Sequence, residues 1–546
     1  MGGEKMVRME DELNERPECV RTEIKVYVNE NGRITLRPSS KRLSVELSKL
    51  EGSVYDVGSN EWTIREDEYM AIRKILRSHG FVFGDIPRGV LDASRRRHEG
   101  SGFELIGSVY DMLLPFQREG VLRVLEMGGR AILADDMGLG KTIQALAVSY
   151  YYRSEWPLLI IAPASLLEDW VDACKRFLHV NAKIIKKSGE EEGEAWIASY
   201  ETVTAGVQMM SGIKVVVVDE CHYLKGMDSK RTKAIVPLLQ KASRALMLSG
   251  TPAVSRPLEL YPILLALDKT MFPRFNEYGV RYCNGRKVGN WYDYKGCSNA
   301  EELNYVLKKC FMIRRTKDEV LSQLPAKSRR QVYLQCCRMQ HEQQKELLSD
   351  DVDSSVVVQY REAVGLKMNQ VKEYLGTVVK SGVKFVVFCH HIEMIDGLNV
   401  FFESLGVVMI RIDGATPSSS RHLLVKKYQE DDEVRVALLS ITACSTGLTL
   451  TAGKLVVFAE LYWNPGVLLQ AEDRIHRIGQ KSNVDVVYLV AKGTIDEYVW
   501  PKLLSKLNVL ESLGIGRNQF RSIGMVKKIA GQTSLYEFDI KKARRL

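Results

Sequence analysis

A chain of 546 residues is too long to fold around one hydrophobic core and is expected to divide into three or four domains. Its 45% hydrophobic and 27% charged residues are the balance of a globular protein, and no apolar run reaches the length of a membrane span, so no membrane partner is expected. Lys and Arg number 77 against 68 Asp and Glu, and the resulting net charge of +9 admits a polyanionic partner without requiring one. Ten cysteines occur without a C-x-x-C pair, which reads as reduced thiols and not as a disulfide framework or a zinc module. The N-terminus is polar and mixed in charge, unlike a signal peptide, so the chain is expected to be soluble and intracellular.

In chain order, residues 1–21 are charged and aperiodic and read as a mobile tail. Residues 22–90 read as a small α+β module. EIKVYV and RITLRP alternate around Asn29-Glu30-Asn31-Gly32, a hairpin signal. SVELSKL looks helical, SVYDV and EWTI form a second extended pair across Gly58-Ser59-Asn60, and an amphipathic helix stops at Gly80. Residues 91–111 read as a linker. Across 112–265, AILAD, LLIIAP, KIIKK, VVVVDE and ALMLSGT alternate with helical stretches; such continuously apolar runs are buried on both faces, as in a parallel sheet covered by helices. Residues 266–380 lose this rhythm and read as a mostly helical insertion. It resumes over 381–500 with KFVVFCHH, VVMIRIDG, RVALLSITA, LVVFAE and VDVVYLVAKG, followed by a helical tail at 501–546.

The first candidate site is LADDMGLGKT, Leu133–Thr142, between an apolar run and a helical pattern. In this reading Asp135, Asp136, Met137, Gly138, Leu139 and Gly140 wrap the phosphates of ATP with backbone N–H groups at a helix N-terminus. Lys141 reaches the β- and γ-phosphates and the Thr142 hydroxyl ligates Mg2+. The match to the P-loop pattern is partial, because Asp135 stands where the first glycine belongs. Gln117 upstream offers an amide that can read an adenine edge, or simply starts a helix. VVVVDECH ends a strand in Asp219, a second Mg2+ ligand, and Glu220, which polarises the attacking water. His222 fits either a relay or a packing role. Ser249-Gly250-Thr251-Pro252 is a turn that can also sense the γ-phosphate side. In QAEDRIHRIGQ, Gln470, Arg474 and Arg477 recur at helical spacing; they fit arginine fingers and nucleotide contacts offered from the second lobe, or a solvated basic face.

LADDMGLGKT, DECH, LSGTP, STGLTL and QAEDRIHRIGQ, in this order over 112–500, resemble the superfamily-two helicase-like motors of the Swi/Snf ATPase family. Asp135 in the P-loop is what that family shows. LSGTPAVSRPLELYP, RYCNGRKVGNWYDY, MIRRTKDEVLSQLPAK, LSITACSTGLTL, FAELYWNPGVLLQAEDRIHRIGQ and LVAKGTIDEYVWP look like its annealing-helicase branch, the HepA-related (HARP) subfamily. Through Tyr55-Asp56, Trp62 and Tyr69 the module at 22–90 resembles a single HARP domain, although Trp62 and Tyr69 also fit core positions and Lys25, Arg33, Arg37 and Lys41 are the better DNA candidates.

The resemblance implies an α/β fold with two RecA-like parallel-sheet lobes, a helical insertion and the small N-terminal α+β module. It implies a nuclear DNA-dependent ATPase, using ATP and Mg2+, that rewinds single-stranded regions at forks. The partner it implies is DNA, forked and with single-strand/double-strand junctions. The segment with which the family recruits single-strand-binding protein is not evident. Family DNA contacts map onto Ser165, Tyr200, Gly414, Thr449 and Trp463, in loops suited to sequence-independent phosphate tracking. A nucleosome-sliding motor and a non-catalytic DNA-binding scaffold are the alternatives.

Overall fold

The structure, a computed structural model, describes residues 23–38, 41–95, 102–186, 193–206, 212–253, 255–320, 324–335, 353–442, 448–477, 479–514 and 524–525. The expected tail at 1–21 and most of 501–546 lie outside these residues. Two compact units emerge, the first comprising Met1–Arg95 with Glu301–Val306 and the second the rest of the chain.

In the first unit four antiparallel strands lie in the order Lys25–Val28, Ile34–Arg37, Glu61–Ile64, Val54–Asp56. The Asn29 side chain accepts from the N–H groups of Asn31 and Arg33, and Gly32 takes the left-handed conformation at φ +74°, so the expected hairpin forms. Helix Tyr69–Ser78 buries Tyr69, Ile72 and Leu76 at helical spacing. It closes as a Schellman motif, with Phe81 N–H donating to Leu76 O and Gly80 N–H to Arg77 O. Trp62 and Tyr69 are buried core residues. The Trp62 indole donates to Ser44 Oγ, and the Tyr69 hydroxyl donates to Asp85 Oδ1 and accepts from Ile86 N–H. The buried Glu302 carboxylate accepts from Val28 N–H at 2.9 Å. The expected linker at 91–111 is partly helical: Arg88–Arg95 buries Val90 and Ala93, and Ser108–Asp111 adds a further turn.

Among the described residues the second unit holds two seven-stranded parallel sheets. Lobe 1 runs Met312–Ile313, Arg130–Leu133, Arg244–Leu248, Val215–Asp219, Leu158–Ala162, Ala195–Ser199, Lys183–Ile184. Lobe 2 runs Met409–Ile412, Val436–Ser440, Phe385–Cys389, Leu455–Phe458, Val484–Lys492, Lys327–Gln335, Gly524–Met525. Their central strands are buried along their whole length, as the apolar runs require.

The stretch 266–380 differs from the mostly helical insertion expected of it. Met312–Ile313 extends the lobe 1 sheet, Lys327–Gln335 pairs with the full length of Val484–Lys492 in lobe 2, and Arg286–Val288 pairs with Trp291–Asp293 as a ribbon. The helix Asp353–Lys380 supplies Val364, Val371, Tyr374 and Leu375 to the lobe 2 core. One strand is two residues long and the other carries Lys, Arg and Gln among its apolar residues, so neither shows as an apolar run. Among the described residues no helix is long and apolar enough to cross a membrane.

Candidate active site

Three neighbouring strands of lobe 1 end level with one another, Leu133 opposite Leu248 and Leu248 opposite Asp219. The P-loop, the Ser249 turn and the Asp219-Glu220 pair therefore share the carboxyl edge of one sheet, where open α/β folds bind ligands. Gly138 and Gly140 are both left-handed (φ +86° and +77°), and Gly140 caps the helix Lys141–Tyr151. Lys141 Nζ folds into the loop and donates to the carbonyls of Asp135 (2.8 Å) and Asp136 (3.3 Å). Burial pushes its ammonium below its ordinary value, against the attraction of Glu220, Asp135, Asp219 and Asp136. Thr142 is half-buried in the first turn of the helix, Leu139 is buried, and the Met137 side chain lies against Gly250.

Asp219 is fixed on both carboxylate oxygens, by the Trp170 indole N–H and by Glu220 N–H, each at 2.9 Å. Burial, with the neighbouring Glu220 charge, pushes its carboxyl up to about 6. Glu220 holds a left-handed backbone at φ +50°, a strain of roughly 1–3 kcal/mol for a non-glycine residue. Its Oε2 lies 3.1 Å from His222 Nδ1 and accepts from Ser249 Oγ at 3.5 Å. Burial opposes ionisation of Glu220, but His222, Lys141 and Arg474 outweigh it and hold the carboxyl below its usual range. His222 and Ser249 share a hydrogen bond of 3.2 Å, which joins DECH to SGTP.

Lobe 2 faces this edge with Arg474 and Arg477. The helix Pro465–Glu472 stops before both, so Gln470 is a buried helix residue while the arginines occupy the turns that follow; the helical face expected for all three is corrected. Arg477 crosses to the P-loop, where its Cβ stands 3.1 Å from the place a Cβ on Gly138 would occupy, and its guanidinium donates to Thr449 Oγ1 at 2.8 Å.

Several expected contacts are taken by the protein itself. The Asp135 carboxylate, fully buried, accepts from Arg315 backbone and side chain and from Gln144, and Asp136 accepts from Lys317 N–H and lies 3.5 Å from Arg314. Both carboxylates therefore anchor the P-loop, leaving its backbone to face a nucleotide. The Gln117 amide is occupied at both ends, donating to Leu139 O and accepting from Leu114 N–H, so it braces the loop where an adenine contact was expected. Tyr200 is buried and its hydroxyl donates to the carbonyls of Asp219 (2.6 Å) and Glu220 (3.2 Å), which corrects its expected role as a DNA contact. Trp463 packs against the lobe 2 core beside Tyr360. Ser165 is half-buried in the turn after Leu158–Ala162, and Gly414 is exposed after Met409–Ile412. In the first unit Lys25 and Arg37 are exposed, with Arg37 paired to Glu61, and the Arg33 guanidinium donates to Gly52 O; the Lys41 side chain lies outside the described set.

Residues 314–329 contribute a set of cations that sequence reasoning missed. Arg314 and Arg315 meet the P-loop carboxylates, while Lys317 and Lys327 meet Asp473 (3.0 and 3.2 Å) and Lys327 and Arg329 meet the buried Glu472. Lys317 also donates to His476 O. Trp170 was equally hidden. The adjacent arginines after an apolar pair were the one available signal for Arg314 and Arg315.

Residues 106–380 match the SNF2-related domain and residues 366–479 the helicase conserved C-terminal domain. The chain belongs to the SNF2 family. The SWI/SNF-related matrix-associated actin-dependent regulator of chromatin subfamily A-like protein 1 of Xenopus laevis is 40% identical over 498 residues, covering 85% of this chain and 52% of that protein. Its Caenorhabditis elegans homolog is 34% identical over 91% of this chain and 77% of its own length. The DNA annealing helicase and endonuclease ZRANB3 of Mus musculus is 38% identical over 74% of this chain and 41% of its own. The chain spans about half the length of the vertebrate subfamily A-like relatives. The P-loop, the Asp219-Glu220 pair and the arginine turn of this SNF2 chain meet in one cleft of its two α/β lobes.

Proposed function

We propose that this chain is a DNA-dependent ATPase that moves along duplex DNA and rewinds single-stranded regions at replication forks in the nucleus. The observation that carries the ATPase reading is the convergence on one cleft of Lys141, Asp219 and Glu220 from lobe 1 with Arg477 against Gly138 from lobe 2. In this reading the backbone of 135–140 cradles the phosphates and Lys141 leaves its two carbonyls for the β- and γ-phosphates. Thr142 and Asp219 offer hard oxygens of the kind Mg2+ takes beside phosphate and water, and would hold it where it offsets phosphate charge. Glu220, ionised and aimed by its strained backbone, accepts the proton of the attacking water. Arg474 and Arg477 neutralise charge on the transferring phosphoryl group.

The annealing activity in the name of ZRANB3 supports DNA with strands to be paired as the substrate, and the chromatin role in the names of the subfamily A-like relatives supports the nucleus as the place of action. Ser165, Gly414 and Thr449 remain the candidates along the DNA track. Thr449 would link that track to hydrolysis through its bond to Arg477. ATP turnover is to be measured without DNA and with single-stranded, duplex and forked DNA. Forked DNA should stimulate the parent chain, while Lys141→Ala and Glu220→Gln should lose roughly 10²–10⁴-fold in turnover and still bind DNA. Near-normal turnover in either variant would overturn the site assignment.

A further inference from the structure

The stretch 284–296, NGRKVGNWYDYKG, takes no part in the roles above. It contains the two-stranded ribbon Arg286–Val288 and Trp291–Asp293, turned by Gly289-Asn290 with Gly289 at φ +60°. Arg286 lies opposite Asp293, Lys287 opposite Tyr292 and Val288 opposite Trp291. Opposite residues share a face, so one face carries Arg286, Val288, Trp291 and Asp293 and the other Lys287, Tyr292 and, one step on, Tyr294. Each face thus has an aromatic ring and a cation. Trp291 is 59% exposed and Tyr292 42%.

The base of this ribbon is tightly built. Tyr294 lies on Gly279 and Gly285, where a Cβ would collide with its ring, and its hydroxyl donates to Asn276 Oδ1 at 2.5 Å. Ring contacts run from Tyr292 to Tyr294 (5.7 Å, nearly parallel), to Phe275 (5.2 Å, edge-on) and to Tyr261 (5.2 Å, edge-on), which opens a buried helix of lobe 1. Tyr278 of the same layer donates to Pro257 O at 2.7 Å. A stiff support that ends in two solvent-facing rings marks an interaction surface. Arg286, Lys287 and Lys295 against the single carboxylate of Asp293 make that surface complementary to a polyanion. Bases in a duplex cover each other's faces, so rings beside cations match bases that have lost their pairing partners.

We propose that the ribbon 286–293 is a stacking pin for unpaired bases. Trp291 and Tyr292, on opposite faces, each take a base where duplex opens into single strands, and Arg286, Lys287 and Lys295 meet the flanking phosphates. The proposal rests on the reading of the chain as a DNA motor and names the part of the substrate this surface meets. The test compares the parent chain, the Trp291→Ala/Tyr292→Ala double variant and Trp291→Phe for binding to an oligothymidylate, a blunt duplex and a forked duplex, alongside ATP turnover on the blunt duplex. Both rings are exposed, so the double variant keeps its fold. It should bind blunt duplex and hydrolyse ATP on it like the parent, lose roughly tenfold or more in affinity for the oligothymidylate and the fork, and recover with Trp291→Phe. Unchanged affinity for the oligothymidylate and the fork overturns the proposal and assigns the surface to a protein partner. A parent chain whose ATP turnover ignores DNA overturns the motor reading instead, and oligothymidylate binding still decides the pin.

Discussion

In lobe 1 the residues that would meet nucleotide stand at the level ends of three adjacent strands, so the backbone ladder places the P-loop, Ser249 and Asp219 relative to one another, and Arg315 and Lys317 then pin the P-loop through Asp135 and Asp136. In lobe 2 Arg474 and Arg477 sit in turns past a helix end, beside two acidic residues held by cations from a distant stretch. One half of the cleft is therefore set first by sheet register, with buried charge behind the P-loop, and the other by buried charge alone. Register tolerates a lost side chain well, because its hydrogen bonds are backbone bonds. Buried charge does not, since removing one partner strands the other in a medium that cannot solvate it.

The largest effect should separate the halves by their roles. Arg474→Ala or Arg477→Ala should lower ATP turnover by about 10³–10⁵-fold, the range of arginine fingers, while nucleotide affinity measured by a fluorescent analogue stays near the parent value. A variant that instead loses nucleotide binding with turnover intact would move that arginine out of the reacting centre.

Stability comes next. Arg315→Ala leaves the fully buried Asp135 carboxylate with the Gln144 amide and the backbone N–H of residue 315 but no cation of that pair, and should cost about 3–5 kcal/mol in chemical denaturation. Arg329→Ala should cost less, because Lys327 and the Tyr488 hydroxyl still reach Glu472. Equal losses would mean that the two sets of pairs are not as different as their partners suggest. Against the effect of burial, Arg329 and Lys327 hold the Glu472 carboxyl down at about 2. A carboxyl with a depressed value contributes stability above its unfolded pKa, and that contribution should fade as pH falls from about 4.5 toward 2. Glu472→Gln should flatten this part of a stability profile against pH.

The smallest effects come from a matched pair. Trp170→Phe removes one hydrogen bond from Asp219 and Thr449→Val removes one from Arg477. Each should slow turnover by several-fold, in line with about 0.5–1.5 kcal/mol per bond. If the halves differ as argued, Thr449→Val has the larger effect, because the Asp219 backbone stays in the ladder whereas Arg477 loses a steering contact. Steady-state rates on forked DNA measure both.

The contrast also explains what could be read from the residues alone. LLIIA is apolar throughout and VVVVD is apolar up to its terminal Asp219 because both faces of a parallel strand are covered, so the lobes and their site-bearing ends were legible. Lys327–Gln335 was not, since its buried Arg329 and Gln331 look like surface residues, and Arg329 reads as a core residue only once Glu472 is placed beside it. The end of the helix at Glu472 was also hidden, because no glycine or proline follows before Gly479. Asp135 and Gln117 were found as part of the site, but which way their side chains turn depends on Arg315 and Leu139, one of them far along the chain. The ribbon at 286–293 did carry a signal, a Gly-Asn pair between β-favouring residues, which its aromatic and charged neighbours obscured.

Lys317 touches both halves of the cleft at once. Its backbone N–H donates to Asp136 Oδ2 at 2.9 Å on the P-loop side, and its ammonium donates to Asp473 Oδ1 at 3.0 Å on the arginine side. One four-carbon side chain thus serves as the gauge of the gap. Once the lobes part by more than the slack of that chain, a buried ion pair has to break, so the cleft should snap between arrangements and not widen by degrees. A motor that advances in discrete strides would have its indexing tooth in this lysine.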